Sequence, residues 1–353
     1  MDKKNILVLF GGVSPEHEVS KVSADSVIKQ LPEEKYHVIP VYITKEGKWL
    51  LYDGTIDHIK NVNWEKFGTP AVLSPDRVNR GLLRIVGDKV RAIPVDVVFP
   101  VLHGENGEDG TIQGLCALAG IPCVGCGVLA SAVSLDKIFM KVIATNAGLP
   151  QAKCLTFARH ELAEDVDEAC KKIRYGLGYP CFVKPANAGS SVGITKATNK
   201  KALLKAFEDA LNYSEKIVVE EFIKGREIVC GVIGGSADVQ VSVPGEVIPG
   251  AEFFDYDDKY NNGLSKSIFP AKIPEDIAEL VRQMSANIFR AVDGSGLARV
   301  DFFLCDDGRV VFGEINTVPG FTGTSLFAKA WEASGLPMPQ MLEMLIELAY
   351  GRQ

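Results

Sequence analysis

The chain has 353 residues, 46% of them hydrophobic, with a formal net charge of −7 and a pI of about 5.4, and this length allows two or three domains of roughly 150 residues each. The acidic balance excludes the basic surface typical of nucleic-acid-binding proteins and of polybasic membrane anchors. The sequence shows neither a signal-peptide core after Met1 nor a run of about 18 apolar residues, which predicts a cytoplasmic protein without a membrane span.

The first part of the chain is predicted to be a small doubly wound α/β domain. The apolar strand Lys4–Phe10 ends in Gly11-Gly12, and a helix is expected over Ser23–Leu31. A strand, a glycine turn and a helix N-terminus form the geometry that receives ligands at the carboxyl end of a parallel sheet. Because the pattern G-x-G-x-x-G does not follow the strand, a dinucleotide site is not expected. Further elements expected here are the strands Val38–Ile43 and Val95–Val101 and the helix Thr111–Ala119.

The loop after the strand Val95–Val101 contains groups that could line a ligand site. It runs from Leu102 to Gly110, is rich in glycine and carboxylates, and contains one histidine, His103. Loops at the carboxyl ends of parallel strands commonly surround ligands. A single histidine is more often structural, so the loop alone leaves both interpretations open.

The eight cysteines lie mostly within apolar runs. Cys123-Val124-Gly125-Cys126 has the Cys-x-x-Cys spacing, but a second pair or a histidine cluster does not accompany it. We therefore expect buried thiols rather than a zinc or redox site.

The middle of the chain contains two lysines next to segments that could bind phosphate. A helix starts near Ser134-Leu135-Asp136-Lys137 and ends before Leu149-Pro150. The strand Tyr179–Pro185 contains Lys184 and is followed by the loop Ala188–Gly193. This loop lacks Gly-Lys-[Ser/Thr] and is not a P-loop, yet its short residues let backbone N–H groups approach phosphate oxygens closely. A plain hairpin turn is an equally good interpretation of the loop.

A long segment without helical periodicity, Pro249–Ile268, contains the aromatic run Phe253–Tyr260. A loop of this length inside a compact domain is usually functional or disordered. The density of aromatic residues argues against disorder. The next helix, Ala278–Val292, is amphipathic and is expected to pack against the hairpin that follows it.

A β-hairpin is predicted around Asp307-Gly308, because two alternating runs flank this pair. A two-residue turn places Asp301 opposite Glu314 and Arg299 opposite Asn316, all on one face. Facing carboxylates repel each other, so a cation is expected between them. Two carboxylates and an amide oxygen suit Mg²⁺, which uses carboxylates together with substrate phosphates. A solvated strand face is the alternative, and a three-residue turn would shift the register.

The combined motifs resemble a known family. Arg299-x-Asp301, followed by Glu314-Ile315-Asn316-Thr317-x-Pro319-Gly320, is similar to the metal-binding end of the ATP-grasp fold. With the earlier segments, the chain resembles the D-alanine–D-alanine ligase family over nearly its whole length. The fold class implied is mixed α/β and α+β, an N-terminal doubly wound domain followed by a two-part ATP-grasp fold. The implied domains are 1–135, 136–229 and 230–353, and a homodimer is expected.

The resemblance implies ATP as the nucleotide and Mg²⁺ or Mn²⁺ as the metal. In the family, lysines matching Lys137 and Lys184 hold the α- and β-phosphates, and backbone groups near the hinge bind the adenine. The positions implied for ATP are Lys137, Lys184, Ser191, Glu220, Ile223, Glu227 and Lys259. The positions implied for the metal, with two ions expected, are Asp301, Glu314 and Asn316.

The resemblance also implies roles around D-alanine, which is the expected substrate. Glu18 is expected to hold the ammonium of the first D-alanine, and Ser190 to link Glu18 to Tyr260 by hydrogen bonds. The implied catalytic positions are Glu18, Ser190, Tyr260, Arg299, Gly320 and Ser325, with His103 and Leu326 contacting substrate. Arg299 and the backbone N–H of Gly320 would stabilise the acyl phosphate and the tetrahedral oxyanion.

Two positions bear on the second substrate. Tyr260 matches the ligases that make D-Ala–D-Ala, and Leu326 matches an apolar contact for the methyl group of the second D-alanine. The run Phe253-Phe254-Asp255-Tyr256 instead resembles the D-serine ligases, so a D-Ala–D-Ser ligase is the alternative. A non-catalytic nucleotide-binding protein on the same fold is a third hypothesis, which the complete metal-binding set disfavours.

Overall fold

The structure is a computed structural model that describes residues 3–54, 59, 63–189, 191–250 and 265–351. Within these residues the strands form three sheets, of seven, four and six strands. Lys259, Tyr260 and Ser190 were predicted to contribute to the site, and all three lie outside the described residues.

The first sheet has the strand order β6-β5-β4-β3-β2-β1-β7. Its strands are β1 (Lys4–Gly11), β2 (Tyr36–Ile43), β3 (Trp49–Leu51), β4 (Thr69–Leu73), β5 (Gly81–Val86), β6 (Lys89–Pro94) and β7 (Val97–Val101). The centre, β2-β1-β7, is parallel, and the other neighbours are antiparallel. The meander from β3 to β6 was not predicted, because its short strands are partly exposed and lack an alternating apolar pattern.

Helices cover both faces of the first sheet, as predicted for a doubly wound domain. They are α1 (His17–Gln30), α2 (Trp64–Phe67) and α3 (Thr111–Ala119). Alternate residues of β1 belong to two separate cores, Ile6 with α1 and Leu7 with α3. A strand buried on both faces is apolar throughout, which explains the continuous run in β1. Helix α1 begins six residues before the expected start at Ser23.

The second sheet has the order β10-β9-β11-β8 and is antiparallel. Its strands are β8 (Cys154–Ala158), β9 (Cys181–Pro185), β10 (Thr195–Ala197) and β11 (Lys216–Glu221). The helices before and within this part are α4 (Val128–Leu135), α5 (Lys137–Asn146), α6 (Arg159–Glu164), α7 (Val166–Gly176) and α8 (Lys200–Leu211). The apolar stripe of α8 packs on Val183, Ile217 and Val219. Because strand side chains alternate, Lys184 and Glu220 point to the opposite face.

The third sheet has the order β15-β14-β12-β16-β17, with β13 paired to β12. Its strands are β12 (Gly225–Gly234), β13 (Val239–Val241), β14 (Gly245–Ile248), β15 (Lys266–Ile268), β16 (Gly296–Cys305) and β17 (Val310–Asn316). The helix α9 (Glu275–Ala291) packs on this sheet through Val281, Ile288 and Phe289. The amphipathic helix predicted over Ala278–Val292 is therefore present, with its start three residues earlier.

The predicted hairpin is formed by β16 and β17. As expected, Asp301 faces Glu314 and Arg299 faces Asn316. The predicted two-residue turn is wrong, because the N–H of Cys305 bonds the carbonyl of Arg309 across a three-residue loop. Leu304 consequently faces Val310 rather than the expected Val311.

A β-bulge at Gly313 restores the register beside the site. The pairing shifts by one residue between Asp301 and Phe302, which leaves Gly313 as the extra residue of β17. A Cβ atom at Gly313 would lie 3.1 Å from the carbonyl oxygen of Asp301, so a side chain there would crowd the bulge. The three-residue turn and the bulge offset each other, and the two carboxylates face as predicted.

The last two helices, α10 (Leu326–Ala333) and α11 (Met338–Tyr350), return to the first sheet. Phe327, Met341 and Leu345 belong to the same core as Ile6. The predicted boundary between residues 229 and 230 falls inside β12. All eight cysteines are thiols and most are buried, as expected. Among the described helices, none is long and apolar enough to cross a membrane.

Candidate active site

A cleft is lined by residues from all three parts of the chain. Glu16 and Glu108 come from the first domain, Lys137 and Gly189 from the second, and Glu314 from the hairpin. The residues that line this cleft include the predicted positions Ser191 and Asn316. The structure therefore brings together groups that are more than 200 residues apart in the sequence.

The hairpin end of the cleft contains an ion pair between two predicted site residues. The guanidinium of Arg299 binds Asp301 through two contacts of 2.7 Å and lies 3.7 Å from Glu314. The Arg299 guanidinium therefore lies beside both of the facing carboxylates. The amide oxygen of Asn316 accepts a hydrogen bond of 2.9 Å from the N–H of Val318.

The same end has donors that fit a hard divalent cation. Asp301, Glu314 and Asn316 supply two carboxylates and an amide oxygen, which suits Mg²⁺ when phosphates complete the shell. Across the described ranges, three or more His, Cys, Asp or Glu side chains do not gather into a metal-binding group. Asp301, Glu314 and Asn316 are the residues that would hold such an ion.

A buried carboxylate beside the cleft has two lysine partners. Glu220, on β11, receives Lys184 at 2.6 Å on one oxygen and Lys141 at 2.8 Å on the other. Burial would raise the pKa of Glu220, but the two ammonium groups outweigh it and lower that pKa to about 2. Burial also acts to lower the pKa of Lys184, and Glu220 outweighs it, so that the net shift is upward.

Lys141 was not predicted as a site residue, although the sequence contained a signal for it. Residues four apart on a helix share a face, and Lys141 follows Lys137 by four residues on α5. A second lysine at this spacing on an apolar helix is the pattern that could have identified it.

Lys137 connects the start of α5 to the glycine-rich loop. Its ammonium donates a hydrogen bond of 2.6 Å to the carbonyl of Ala188, and burial lowers its pKa. The preceding residue, Asp136, caps the helix by accepting from the N–H groups of Ile138 and Phe139. The cap fixes the start of α5, and the hydrogen bond to Ala188 fixes the orientation of the Lys137 side chain.

The glycine-rich loop approaches two carboxylates of the first domain. A Cβ atom at Gly189 would lie 3.3 Å from Oε2 of Glu16 and 3.9 Å from Oε2 of Glu108. Gly193 has a φ of +71°, and a Cβ atom there would lie 2.7 Å from Tyr213 and 2.8 Å from Pro185. Glycine therefore permits close approach at the first position, and the second requires it for the left-handed backbone.

Glu16 lies in the cleft, whereas the predicted residue Glu18 does not. The side chain of Glu18 is 65% exposed and pairs with Lys21 at 2.9 Å and Lys45 at 3.5 Å. Glu16 is 6% exposed. The difference arises because α1 begins at His17: the residue before the helix turns inward, and Glu18 lies on the outer face of the first turn. Of the two glutamates, Glu16 is therefore the one that lines the cleft.

His103 links the first domain to the segment after the hairpin. Its Nδ1 lies 3.1 Å from the carbonyl of Val318, and its Nε2 lies 3.3 Å from the hydroxyl of Ser23. Burial would lower the pKa of His103, but the neighbouring carboxylates of Glu108 and Glu16 outweigh it and raise that pKa. His103 therefore lies beside the carboxylates of the cleft, and its predicted contact with the first substrate stays a prediction.

The loop before α10 contains three more predicted positions. The hydroxyl of Ser325 accepts a hydrogen bond of 2.9 Å from the N–H of Thr322. A Cβ atom at Gly320 would lie 2.9 Å from that same hydroxyl, so glycine is needed there. Leu326 is half-buried at the first position of α10.

The predicted adenine hinge lies at the connection between two sheets. Ile223 is in the short link from β11 to β12, and Glu227 is near the start of β12. Burial would lower the pKa of Lys184, and Glu220, then Glu314 and last Glu227 outweigh it and raise that pKa.

Two family models match the chain. The one described as D-ala D-ala ligase N-terminus matches residues 5–126. The one described as D-ala D-ala ligase C-terminus matches residues 143–347.

Two bacterial relatives are similar over almost the full length. A D-alanine–D-alanine ligase of Acetivibrio thermocellus is 49% identical, with 99% of this chain and 97% of the relative covered. A D-alanine–D-alanine ligase of Caldicellulosiruptor bescii is 47% identical, with 99% of this chain and 96% of the relative covered.

Solved structures of ligases have the same fold. The VanG D-Ala:D-Ser ligase from Enterococcus faecalis matches with a TM-score of 0.88 and 41% identity, covering 99% of this chain and all of that one. The D-alanine–D-alanine ligase from Coxiella burnetii matches with a TM-score of 0.85 and 33% identity, covering 100% of this chain and 95% of that one. The predicted fold class and family are both confirmed, and the chain belongs to the D-alanine–D-alanine ligase family.

Proposed function

We propose that this chain is an ATP-dependent ligase that joins two D-alanine molecules through an acyl phosphate. The observation that supports it best is the cleft, where three kinds of group meet. Lysines beside a glycine-rich loop suit phosphates, the hairpin carboxylates suit a divalent cation, and buried carboxylates suit an ammonium. ATP, a metal and an amino acid are the ligands that such a ligase requires.

The first step transfers the γ-phosphoryl group. A carboxylate oxygen of the first D-alanine forms a bond to the γ-phosphorus, and ADP leaves. Mg²⁺ held by Asp301, Glu314 and Asn316 would neutralise charge on the phosphates when bound. Lys137 and Lys184 would orient the phosphates, with Ser191 and the loop amides beside them. Glu227 would bind the ribose hydroxyls, and Ile223 and the backbone near Glu220 would bind the adenine.

The second step forms the peptide bond. The amine nitrogen of the second D-alanine attacks the acyl carbon, the C–N bond forms, and phosphate leaves. Arg299 and the N–H of Gly320 would stabilise the oxyanion, and donors of this type contribute about 2.7–4 kcal/mol each. The hydroxyl of Ser325 would bind the carboxylate of the second D-alanine.

We assign the ammonium of the first D-alanine to Glu16 instead of Glu18. Glu16 is buried in the cleft within reach of the glycine-rich loop, close to Glu108 and His103. A buried carboxylate gains more from an ammonium than an exposed one that lysines already neutralise.

A D-Ala–D-Ser ligase is the second candidate, and one observation favours it. The VanG D-Ala:D-Ser ligase matches this chain with 41% identity. Relatives that are D-alanine–D-alanine ligases match with 44–49% identity, and Leu326 supplies an apolar contact for a methyl group. Leu326 cannot hydrogen-bond a D-serine hydroxyl, so desolvation of that hydroxyl should cost about 1–3 kcal/mol.

One experiment tests the function and separates the candidates. Phosphate release from ATP is measured with and without D-alanine, and the dipeptide formed from equimolar D-alanine and D-serine is identified by mass spectrometry. We expect D-alanine-dependent phosphate release and at least roughly tenfold more D-Ala–D-Ala than D-Ala–D-Ser. Mainly D-Ala–D-Ser would favour the second candidate, and phosphate release that ignores D-alanine would contradict both.

The homodimer stays a prediction, and a surface feature supports it. Exposed apolar side chains lie on consecutive helices, with Leu118 on α3 64% exposed, Leu129 on α4 59% exposed and Val142 on α5 61% exposed. Apolar surface of this kind commonly marks an interface. Analytical ultracentrifugation of the wild type and of Leu129→Asp checks it, with a monomeric variant expected. The cytoplasmic location also stays a prediction.

A further inference from the structure

Lys141 is linked to Lys184 through the carboxylate of Glu220. Its ammonium is 2.8 Å from Oε1 of Glu220, and the side chain is 7% exposed. The other carboxylate oxygen, Oε2, is 2.6 Å from the ammonium of Lys184, whose side chain is 22% exposed. The two lysines thus bind different oxygens of the same carboxylate, and Lys184 is the more exposed of the two.

Lys141 is the more firmly held of the two lysines. It lies within α5, whose start is capped by Asp136. Its own carbonyl accepts hydrogen bonds from the hydroxyl of Thr145 and the side-chain amide of Gln151. Lys184 lies on β9 next to the glycine-rich loop, and its more exposed ammonium has more room to exchange Glu220 for another anion.

Under the proposed function, Lys184 has two competing partners. Its ammonium donates a hydrogen bond of 2.6 Å to Glu220, yet it is also expected to bind a phosphate of ATP. Removing one partner from a buried ion pair is strongly destabilising, because the remaining charge is left uncompensated. Lys184 can therefore move to a phosphate only if Glu220 keeps another cation.

We propose that Lys141 is a positioning residue for the nucleotide reaction: it is the fixed counterion of Glu220 and thereby releases Lys184 to bind phosphate. Lys141 itself touches neither nucleotide nor amino acid. Without it, Glu220 would hold Lys184 as its main cation, and phosphate binding would have to break that pair. This inference rests on the proposed use of ATP. It adds the residue that allows Lys184 to exchange Glu220 for a phosphate.

The test compares two ligands that differ only in phosphates. ADP and adenosine are titrated by calorimetry, with Mg²⁺, into the full-length wild type and into Lys141→Met. We expect Lys141→Met to weaken ADP on the order of tenfold to a hundredfold, with adenosine binding changed by less than about twofold, since adenosine has no phosphate for Lys184. Lys141→Arg, which keeps the charge, should restore most of the ADP affinity.

A double-mutant cycle identifies the partner through which Lys141 acts. In a Glu220→Gln background, Lys141→Met should change ADP affinity by less than about threefold, because the buried carboxylate that needs Lys141 is gone. The matched control is Lys200→Met, which removes an exposed lysine from its 2.7 Å pair with Asp167 in the same part of the chain. It should leave both ligands unaffected.

The outcomes are distinct. Equal weakening of ADP and adenosine would place the effect on the adenine side and overturn the inference, as would unchanged ADP binding in Lys141→Met. If Lys141→Met does not fold, two other variants provide the comparison: Lys141→Arg, and Lys141→Met combined with Glu220→Gln, which removes the buried negative charge. A full loss of ADP binding in both of these variants would overturn the inference. A wild type that binds neither ADP nor ATP would instead contradict the proposed function itself.

Discussion

Glu16→Gln should impair the use of the first D-alanine, and Glu18→Gln should not. The pair is well matched, because both are glutamates at the start of one helix with the same substitution. Glu16 is 6% exposed and lines the cleft. The side chain of Glu18 is 65% exposed and lies against Lys21 and Lys45. The expected difference between the two variants follows from the burial of their side chains. It is the reverse of the expectation from the sequence, which gave the role to Glu18.

The magnitudes follow from the two environments. A hydrogen bond between charged groups contributes about 1.5–3 kcal/mol, so Glu16→Gln should lower kcat/KM for the first D-alanine roughly 10- to 150-fold. Exposed ion pairs contribute about 0–1 kcal/mol to stability. Because the pairs of Glu18 do not reach the cleft, Glu18→Gln should change kcat/KM by less than about twofold.

The assay is the initial rate of phosphate release as D-alanine is varied at saturating ATP. Thermal unfolding of each variant checks that the fold is intact, and ADP affinity checks that the nucleotide site is unchanged. Comparable losses in the two variants, or a fully active Glu16→Gln, would refute the argument from burial.

Three further predictions concern the hairpin, the loop and the histidine. Glu314→Gln removes one of two facing carboxylates, so it should abolish Mg²⁺-dependent turnover while unfolding temperature stays level or rises slightly. Gly193→Ala should lower the free energy of unfolding by about 1–2 kcal/mol because alanine disfavours the left-handed backbone, and by more because its Cβ would contact Tyr213. Gly178, with a φ of +76° and no atom within 4 Å of an added Cβ, is the matched control. Thermal unfolding of Gly178→Ala should show only the backbone effect. The pKa of His103 is raised above 6.5, so its stabilisation is complete below pH 6.5 and is lost as pH rises through the folded-state pKa. Thermal unfolding of wild type against His103→Gln between pH 6 and 9 should show a gap that narrows with pH; a constant gap would contradict this.

Much of the fold could be predicted because strong local patterns in the sequence indicated its helices and strands. The continuous apolar run of β1, the helix Thr111–Ala119 and the amphipathic helix after the long loop were all readable from periodicity. The antiparallel strands β5 and β6 could not be predicted, because their side chains do not alternate regularly between core and solvent. Packing of α11 on the first sheet is a long-range contact that no local pattern encodes.

The pairing of site residues could be predicted within one hairpin. It could be predicted less well where the start of a helix determines which side chain points into the cleft. Asp301 faces Glu314 as predicted, although the turn is longer, because a bulge at Gly313 compensates. A local rule thus gave the correct pair for an incomplete reason. The choice between Glu16 and Glu18 depends on where α1 begins, and helix starts are among the least readable features of a sequence.

Three cations in and beside the cleft have polar partners within the protein, and this constrains how ligands bind. Arg299 binds Asp301 at 2.7 Å, Lys184 binds Glu220 at 2.6 Å, and Lys137 donates to the carbonyl of Ala188 at 2.6 Å. These three cations are therefore already partly desolvated and hydrogen-bonded. Binding of ATP and metal would exchange these partners for phosphates and a divalent cation, so the desolvation cost is largely met during folding. A neutral ligand cannot replace the carboxylate partners of Arg299 and Lys184. We therefore expect the cleft to bind a polyanion with its metal more tightly than an uncharged molecule of similar size.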